Sequence, residues 1–115
     1  MNMFKMRGET EQSDHKIMRT FTKELVVQNR SGIHARVSTV IAQKCRELNA
    51  EVKLRKGGVT ADCTSVLDLL SLGASQGTTL HLEASGEEAD RAVEMISAMF
   101  EARFNEDEES TRTPP

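Results

Sequence analysis

Aromatic side chains are scarce in this chain: tryptophan and tyrosine are absent, and phenylalanine occurs four times among 115 residues. Because hydrophobic residues still make up 37% of the sequence, we expect one domain with an aliphatic core. A formal net charge of −3 argues against nucleic-acid binding, which needs a basic face to neutralise phosphates. The composition therefore indicates a small globular domain with no nucleic-acid partner.

Long apolar runs are also missing, since no stretch approaches the roughly 20 residues that a membrane-spanning helix needs. The charged residues Lys5, Arg7 and Glu9 interrupt the N-terminus, so no signal-peptide pattern is present. The two cysteines, Cys45 and Cys63, have no neighbouring ligand pattern and fall at inward-facing positions, which predicts buried free thiols. Together these features favour a cytoplasmic protein without membrane insertion.

The chain divides into a central domain and two polar ends. Residues 1–19 are polar and aperiodic, which predicts a disordered N-terminal tail. Residues 106–115 begin with four consecutive acidic residues and predict a second, acidic disordered tail. Residues 20–105 alternate between strand-like and helix-like periodicity and form the predicted domain.

The alternating patterns predict the element order βαββαβα. Residues 21–28 are rich in strand formers and end at a turn, after which apolar side chains recur at helical spacing from Val37 to Leu48. Gly57-Gly58 predicts a hairpin between the next two strands. A short helix over 65–72, a further strand and a final amphipathic helix complete the order. A hairpin combined with one-sided helices indicates an α+β fold, with helices on one face of an antiparallel sheet.

The segment from Ser31 to Arg36 joins the first strand to the first helix and contains the residues best suited to chemistry. Gly32 permits a sharp reversal of the chain. His34 then falls at the start of the helix, where unpaired N–H groups and the helix dipole stabilise an anion. An imidazole placed there can act as a nucleophile, and Arg36 can add a charge-assisted contact to a phosphate. The alternative is a surface histidine that merely begins a helix.

The short helix near Ser65 is the second feature. Thr64 or Ser65 can cap this helix, and Ser65-x-x-Asp68 approximates a capping box. The helix has four apolar residues, Val66, Leu67, Leu69 and Leu70. Together they cover more than one stripe of the helix, so some of them must face solvent. An exposed apolar patch predicts a docking surface, and packing against the sheet is the alternative.

These motifs resemble those of HPr, the histidine-containing phosphocarrier of the phosphoenolpyruvate-dependent phosphotransferase system, over residues 22–104. Gly32-Ile33-His34-Ala35-Arg36 resembles the family's Gly-Leu-His-Ala-Arg active-site motif. Thr64-Ser65-Val66-Leu67, followed by Ser71-Leu72-Gly73, resembles the helix with the regulatory serine, at the family's spacing from His34. The resemblance implies an open-faced sandwich, a four-stranded antiparallel sheet covered on one face by three helices.

The resemblance further implies a carrier rather than an enzyme, with no cofactor. His34 would accept a phosphoryl group on Nδ1 from enzyme I and donate it to an enzyme IIA domain in sugar uptake or its regulation. Arg36 would contact the phosphate, and Ser65 would be the candidate target of HPr kinase/phosphorylase. His15 and His81 lack companions at metal-ligand spacing, so no metal site is expected. The implied docking surface consists of Ala35, Thr39, Val66, Leu67 and Leu70.

Several features depart from the family pattern. Val37 replaces the usual proline, which predicts less preorganisation at the start of the helix. Asp68 places an acid where relatives often carry a base, and residues 104–107 resemble the nitrogen-branch carrier. The alternative function is therefore a regulatory paralogue, either a nitrogen-branch carrier or a serine-phosphorylated binding protein that acts through docking. A ferredoxin-like RNA-binding or metabolite-sensing domain would share the α+β pattern, but the strands lack stacking aromatics and a basic stripe.

Overall fold

The computed structural model describes residues 20–106. The predicted N-terminal tail at residues 1–19 lies outside the described residues, as does the predicted C-terminal tail at residues 106–115 apart from its first residue, Glu106. Four strands and three helices follow each other in the predicted order βαββαβα. The strands are β1 (Thr20–Val26), β2 (Glu51–Lys56), β3 (Val59–Asp62) and β4 (Thr79–Ser85). The helices are α1 (Ala35–Arg46), α2 (Val66–Ser71) and α3 (Ala89–Glu101). Within the described residues, no helix is long and apolar enough to cross a membrane.

The strands form one antiparallel sheet in the order β1-β4-β2-β3. The turn between β2 and β3 contains Gly57 with a φ of 57°, the positive angle that the Gly-Gly pair predicts for a hairpin. Side chains alternate between the two faces of each strand, and the paired residues Leu54 and Leu82 are both fully buried under the helices. The predicted open-faced α+β sandwich is thereby confirmed.

The core lies between the sheet and the helices and is largely aliphatic. Its fully buried members come from both layers and include Val37, Ile41, Val52, Leu54, Leu69, Leu80, Leu82 and Ile96. Phe100 and Phe104 pack edge to face, with their ring centroids 5.1 Å apart. Cys45 and Cys63 are buried free thiols, as predicted.

Two contacts show that α1 and α2 run antiparallel. Arg46, the last residue of α1, donates from Nε and Nη2 to the Thr64 carbonyl oxygen just before α2, at 3.0 and 2.7 Å. The backbone N–H of Ile33, just before α1, donates to the carbonyl oxygen of Ala74, just after α2, at 2.9 Å. The start of α1 therefore lies beside the end of α2.

Gly32 occupies the most crowded point of this contact. Its φ is 71°, and a Cβ added to it would overlap the carbonyl oxygen of Ala74 and lie 2.9 Å from the Cα of Ser75. Both the backbone angle and the available space therefore require glycine. The fully buried Asn29 fixes the reversal, because its Nδ2 donates to the Gly32 carbonyl oxygen at 2.8 Å. The chain consequently enters α1 at a fixed position.

We predict that Gly32→Ala lowers the free energy of unfolding more than Gly57→Ala does. Both positions have positive φ, which costs an L-residue about 1–2 kcal/mol. A Cβ at Gly57 would meet no atom within 4 Å, whereas one at Gly32 would meet backbone and add roughly 1–3 kcal/mol of overpacking. Urea denaturation of the two variants measures the difference, and equal losses would contradict the packing constraint at Gly32.

Candidate functional site

His34 is the N-cap residue of α1, which is the position that the sequence predicts. Its backbone is extended, with φ −101° and ψ −172°, and its carbonyl oxygen accepts from the Ser38 N–H at 2.8 Å. The imidazole makes no capping hydrogen bond, and the first turn of α1 contains no acidic residue. Since the side chain is 32% exposed, an anion at His34 can approach the positive end of the helix.

Glu106 contacts His34, although the sequence pattern assigned this residue to the C-terminal tail. Its Oε2 lies 3.0 Å from His34 Nε2, and its Oε1 accepts from the Ser31 backbone N–H at 2.8 Å. The Glu106 side chain is only 13% exposed. The structure thus differs from the predicted boundary after residue 105, because tertiary contacts hold the first residue of the acidic run against the domain.

A left-handed turn directs Glu106 towards His34. Residues Arg103–Asn105 have positive φ angles of 55°, 52° and 61°, a conformation that costs about 1–2 kcal/mol for each L-residue. Two contacts of Phe104 offset this cost. Its side chain is buried, and its carbonyl oxygen accepts a hydrogen bond of 3.3 Å from Arg36 Nη2. No glycine marks the turn, so the sequence offered no local signal for it.

The Glu106 carboxyl is ionised at neutral pH. Burial raises its pKa, but hydrogen bonds from Ser31, His34 and Asn29 outweigh burial and hold the pKa below its ordinary value of 4.5. The site therefore contains a carboxylate beside the imidazole and an open helix N-terminus next to it. An ionised carboxylate can only accept hydrogen bonds, so the His34 ring must be the donor in the hydrogen bond between them.

Arg36, the predicted phosphate contact, is exposed on the first turn of α1. Its Nη2 donates to the Phe104 carbonyl oxygen, so the guanidinium group stands at the C-terminal turn in this structure. Its predicted contact with a phosphoryl group on His34 would require the long side chain to change partner. That contact stays a prediction.

The predicted docking residues lie on the neighbouring helices α1 and α2: Ala35, Thr39, Val66, Leu67 and Leu70. Leu67 is 77% exposed and Leu70 is 37% exposed, so apolar surface does face solvent here. Val66 is partly buried against the core, and Leu69 is completely buried. The alternative of packing against the sheet thus holds for Leu69 and partly for Val66, but not for Leu67.

Ser65 is the N-cap residue of α2. Its Oγ accepts from the Asp68 backbone N–H at 3.1 Å, as half of a capping box requires. The other half is missing, because the Asp68 carboxylate instead accepts from the Asp62 backbone N–H at 3.1 Å. The acid on α2 therefore binds the end of β3 and is not directed back to Ser65.

Ser65 and His34 mark opposite ends of α1. Thr64, next to Ser65, receives two hydrogen bonds from Arg46 at the end of α1, whereas His34 precedes its first residue. A helix of 12 residues is about 18 Å long. A group on Ser65 is consequently too far away to touch the His34 ring directly.

His81, which the sequence excluded as a metal ligand, is a strand residue on β4. Its Nδ1 lies 4.0 Å from Oε2 of Glu24 on the adjacent β1. Over residues 20–106, no three histidine, cysteine, aspartate or glutamate side chains cluster as metal ligands would.

Comparison with known proteins identifies the family. The family model described as the PTS HPr component phosphorylation site matches residues 21–102. The chain belongs to the HPr family. The phosphocarrier protein HPr of Xylella fastidiosa strain 9a5c is 34% identical over 84 residues, which cover 73% of this chain and 94% of that protein. The phosphocarrier protein NPr of Shewanella violacea is 35% identical over 89 residues, or 77% and 98% of the two chains.

Solved structures agree on the HPr fold. HPr-C-His from Thermoanaerobacter tengcongensis aligns with a TM-score of 0.72 at 24% identity, covering 75% of this chain and 97% of that one. HPr-family proteins are phosphocarriers rather than catalysts, which agrees with the predicted class of protein. HPr and NPr relatives match to nearly the same extent, so family membership fits both the sugar and the nitrogen branch.

We predict that the Glu106 carboxyl titrates below pH 4.5. Because its pKa in the folded protein is lowered, its contacts stabilise the fold above the ordinary pKa and are lost as the pH falls through the lowered value. Carbon-detected NMR of the Glu106 side chain measures the midpoint, and the Ser31 amide resonance should move with the same midpoint. A Ser31 amide that stays constant through the acid range would contradict the contact.

Proposed function

We propose that this protein accepts a phosphoryl group from enzyme I on His34 and donates it to an enzyme IIA domain. The observation that carries the proposal is the position of His34, a partly exposed imidazole at the N-cap of α1 with no acidic side chain in the first turn. The helix N–H groups and dipole can stabilise the oxygens of a phosphoryl group bound there. Membership of a phosphocarrier family supports this chemistry.

Transfer at His34 exchanges one bond to phosphorus for another. A ring nitrogen attacks the phosphorus atom, the N–P bond forms on His34, and the bond between phosphorus and enzyme I breaks with its electron pair left on enzyme I. The acceptor domain later reverses these roles. Arg36 lies two residues from His34 and supplies a charge-assisted contact to the phosphoryl oxygens once its guanidinium leaves the Phe104 carbonyl.

The surface formed by Ala35, Thr39, Val66, Leu67 and Leu70 is the proposed docking site for both partners. The antiparallel arrangement of α1 and α2 supports this role, because the C-terminal end of α2 lies beside the loop that carries His34. A partner that covers Leu67 and Leu70 would therefore lie close to the loop that carries the imidazole. Burial of these exposed leucines provides a hydrophobic contribution to binding.

A nitrogen-branch carrier is the second candidate. The NPr relative is as similar as the HPr relative, and Glu106 from the stretch that resembles nitrogen-branch carriers contacts His34. The two candidates can be distinguished by measuring whether this protein transfers its phosphoryl group to a sugar-branch or to a nitrogen-branch enzyme IIA. Either relay fits a cytoplasmic protein, in keeping with the two free thiols of Cys45 and Cys63.

We predict that enzyme I and phosphoenolpyruvate label the parent protein with an acid-labile phosphate and that His34→Ala abolishes the label. The imidazole of His81 is the matched control, because it is also partly exposed but does not lie at a helix terminus. His81→Ala should be labelled like the parent protein. Label that persists in His34→Ala would refute the assignment.

We predict that Ser65→Asp raises the KM that enzyme I shows for this protein as its substrate. The thermal midpoint of unfolding should stay unchanged or rise slightly. Aspartate caps a helix as well as serine does, but it adds negative charge to a surface that must lose water on docking. Its charge is too far from His34 to alter the imidazole directly, so kcat should change little. A phosphate added to Ser65 by HPr kinase/phosphorylase would act in the same way.

Ser65→Asn is the control for this experiment, because asparagine has the shape and capping ability of aspartate without its charge. It should behave like the parent protein. Arg46, bound to the neighbouring Thr64, screens part of the added charge, so the expected change in KM is a fewfold. Equal KM values for the Asp and Asn variants would leave Ser65 with only a capping role.

A further inference from the structure

We propose that Cys45 and Cys63 form a reversible redox modification site, in which hydrogen peroxide joins the two thiols as an intramolecular disulfide. The two residues are the only cysteines in the sequence, and both are free thiols in this structure. The site goes beyond the proposed function, because it does not depend on phosphoryl transfer at His34. The alternative is that both thiols are inert side chains of the core.

The fold brings the two cysteines together. Cys45 lies on the buried face of α1 in its last turn, and Cys63 follows β3, where its N–H donates to the Val52 carbonyl oxygen at 2.9 Å. The residues that come next are joined directly, because Arg46 donates two hydrogen bonds of 3.0 and 2.7 Å to the Thr64 carbonyl oxygen. Both cysteine side chains are buried in the same core. The end of α1 and the end of β3 are therefore neighbours, and each directs a thiol into the layer between them.

Each thiol changes the ionisation of the other. The Cys63 thiol lowers the pKa of Cys45, whereas the Cys45 thiol and burial raise the pKa of Cys63. Cys45 is therefore the thiol that ionises first, and the thiolate is the form that attacks an oxidant. Cys63 keeps its proton at that stage, so it is suited to react with the oxidised form of Cys45.

Oxidation by hydrogen peroxide balances in two steps. The Cys45 thiolate attacks one peroxide oxygen, the O–O bond breaks, and hydroxide leaves, so that Cys45 becomes a sulfenic acid. The Cys63 sulfur then attacks the Cys45 sulfur, the S–S bond forms, and the S–O bond breaks. The departing hydroxyl group takes the Cys63 proton and leaves as water, and the first hydroxide takes the proton that Cys45 had lost. Two thiols thus lose two protons and two electrons, while one peroxide becomes two waters.

A small oxidant can reach the pair through a short local opening, although both thiols are buried. The sequence neighbours Lys44, Arg46 and Asp62 are all exposed, so the thiols lie one residue away from the surface. The helix that follows Cys63 is only six residues long, and Leu69 is its one buried residue. Short elements with few buried apolar contacts open more readily than the core does. We therefore expect slow oxidation that thiol reductants reverse, as for the transient disulfides of reducing compartments.

The disulfide would restrain the start of α2. Cys63 lies two residues before Ser65, whose Oγ accepts from the Asp68 backbone N–H at 3.1 Å. A covalent bond to Cys45 prevents this turn from moving away from α1. Hydrogen exchange of the Asp68 amide, measured by NMR, should consequently be slower in the oxidised protein than in the reduced protein. The thermal midpoint should also rise by several degrees, because the cross-link restricts the unfolded chain.

The experiment treats the full-length protein with hydrogen peroxide, alkylates the remaining thiols in denaturant and measures the intact mass without reductant. We expect a monomer that has lost two hydrogen atoms, carries no alkyl group and regains both thiols with dithiothreitol. Cys45→Ala and Cys63→Ala are matched controls, since each keeps one thiol and cannot form the bond. Digestion of the parent protein without reductant should yield one cross-linked peptide that contains Cys45 and Cys63, a result that does not depend on how well the variants fold.

Three results would overturn the proposal. They are thiols that stay reduced in peroxide, a disulfide between two copies of the chain, and oxygen added to a cysteine in place of the intramolecular bond. An oxidised protein with a lower thermal midpoint, or with unchanged exchange of the Asp68 amide, would also contradict it. In either case the cross-link would distort the fold or leave the start of α2 unrestrained.

Discussion

The close packing of the Gly32 backbone against Ala74 is the constraint on which the rest of the site depends. It joins the loop before α1 to the end of α2, and the hydrogen bond from Ile33 to Ala74 closes the same junction. His34 follows two residues after Gly32, so the imidazole takes its place at the helix N-terminus from this contact. The same contact holds the start of α1 beside the end of α2, as their antiparallel arrangement requires.

This arrangement places the proposed phosphoryl acceptor and the proposed regulatory serine at opposite ends of one helix. His34 lies at one end of α1, and Ser65 lies at the other end, beside Arg46. The exposed side chains of Leu67 and Leu70 belong to the helix between these two positions. A partner that docks there would contact both ends at once, and a charge on Ser65 would influence transfer through binding and not through the imidazole.

The fold and the position of His34 at a helix N-terminus could be predicted because their signals are local. Changes in hydrophobic period mark each strand and helix, and Gly32 together with the start of a helical pattern places His34 at an N-cap. The serine cap of α2 follows from its sequence for the same reason. The position of Asp68 could not be predicted in detail, because a backbone donor from β3 competes with the N-cap for its carboxylate.

Glu106 was missed for two physical reasons. Its partner is 72 residues away in the sequence, and the turn that joins them consists of residues that rarely adopt positive φ. A run of four acids also has the composition of a solvated tail, so only tertiary contacts reveal that its first member is held in the site. The parts of the site that depend on long-range contacts were therefore beyond the reach of local patterns.

We propose that Nδ1 of His34 carries the phosphoryl group. Phosphorus–nitrogen correlation NMR of the isotopically labelled protein, recorded during turnover with enzyme I and phosphoenolpyruvate, tests it most directly. We predict one N–P bond, located at Nδ1 of His34. Phosphorus bound to Nε2, or to any residue other than His34, would contradict it.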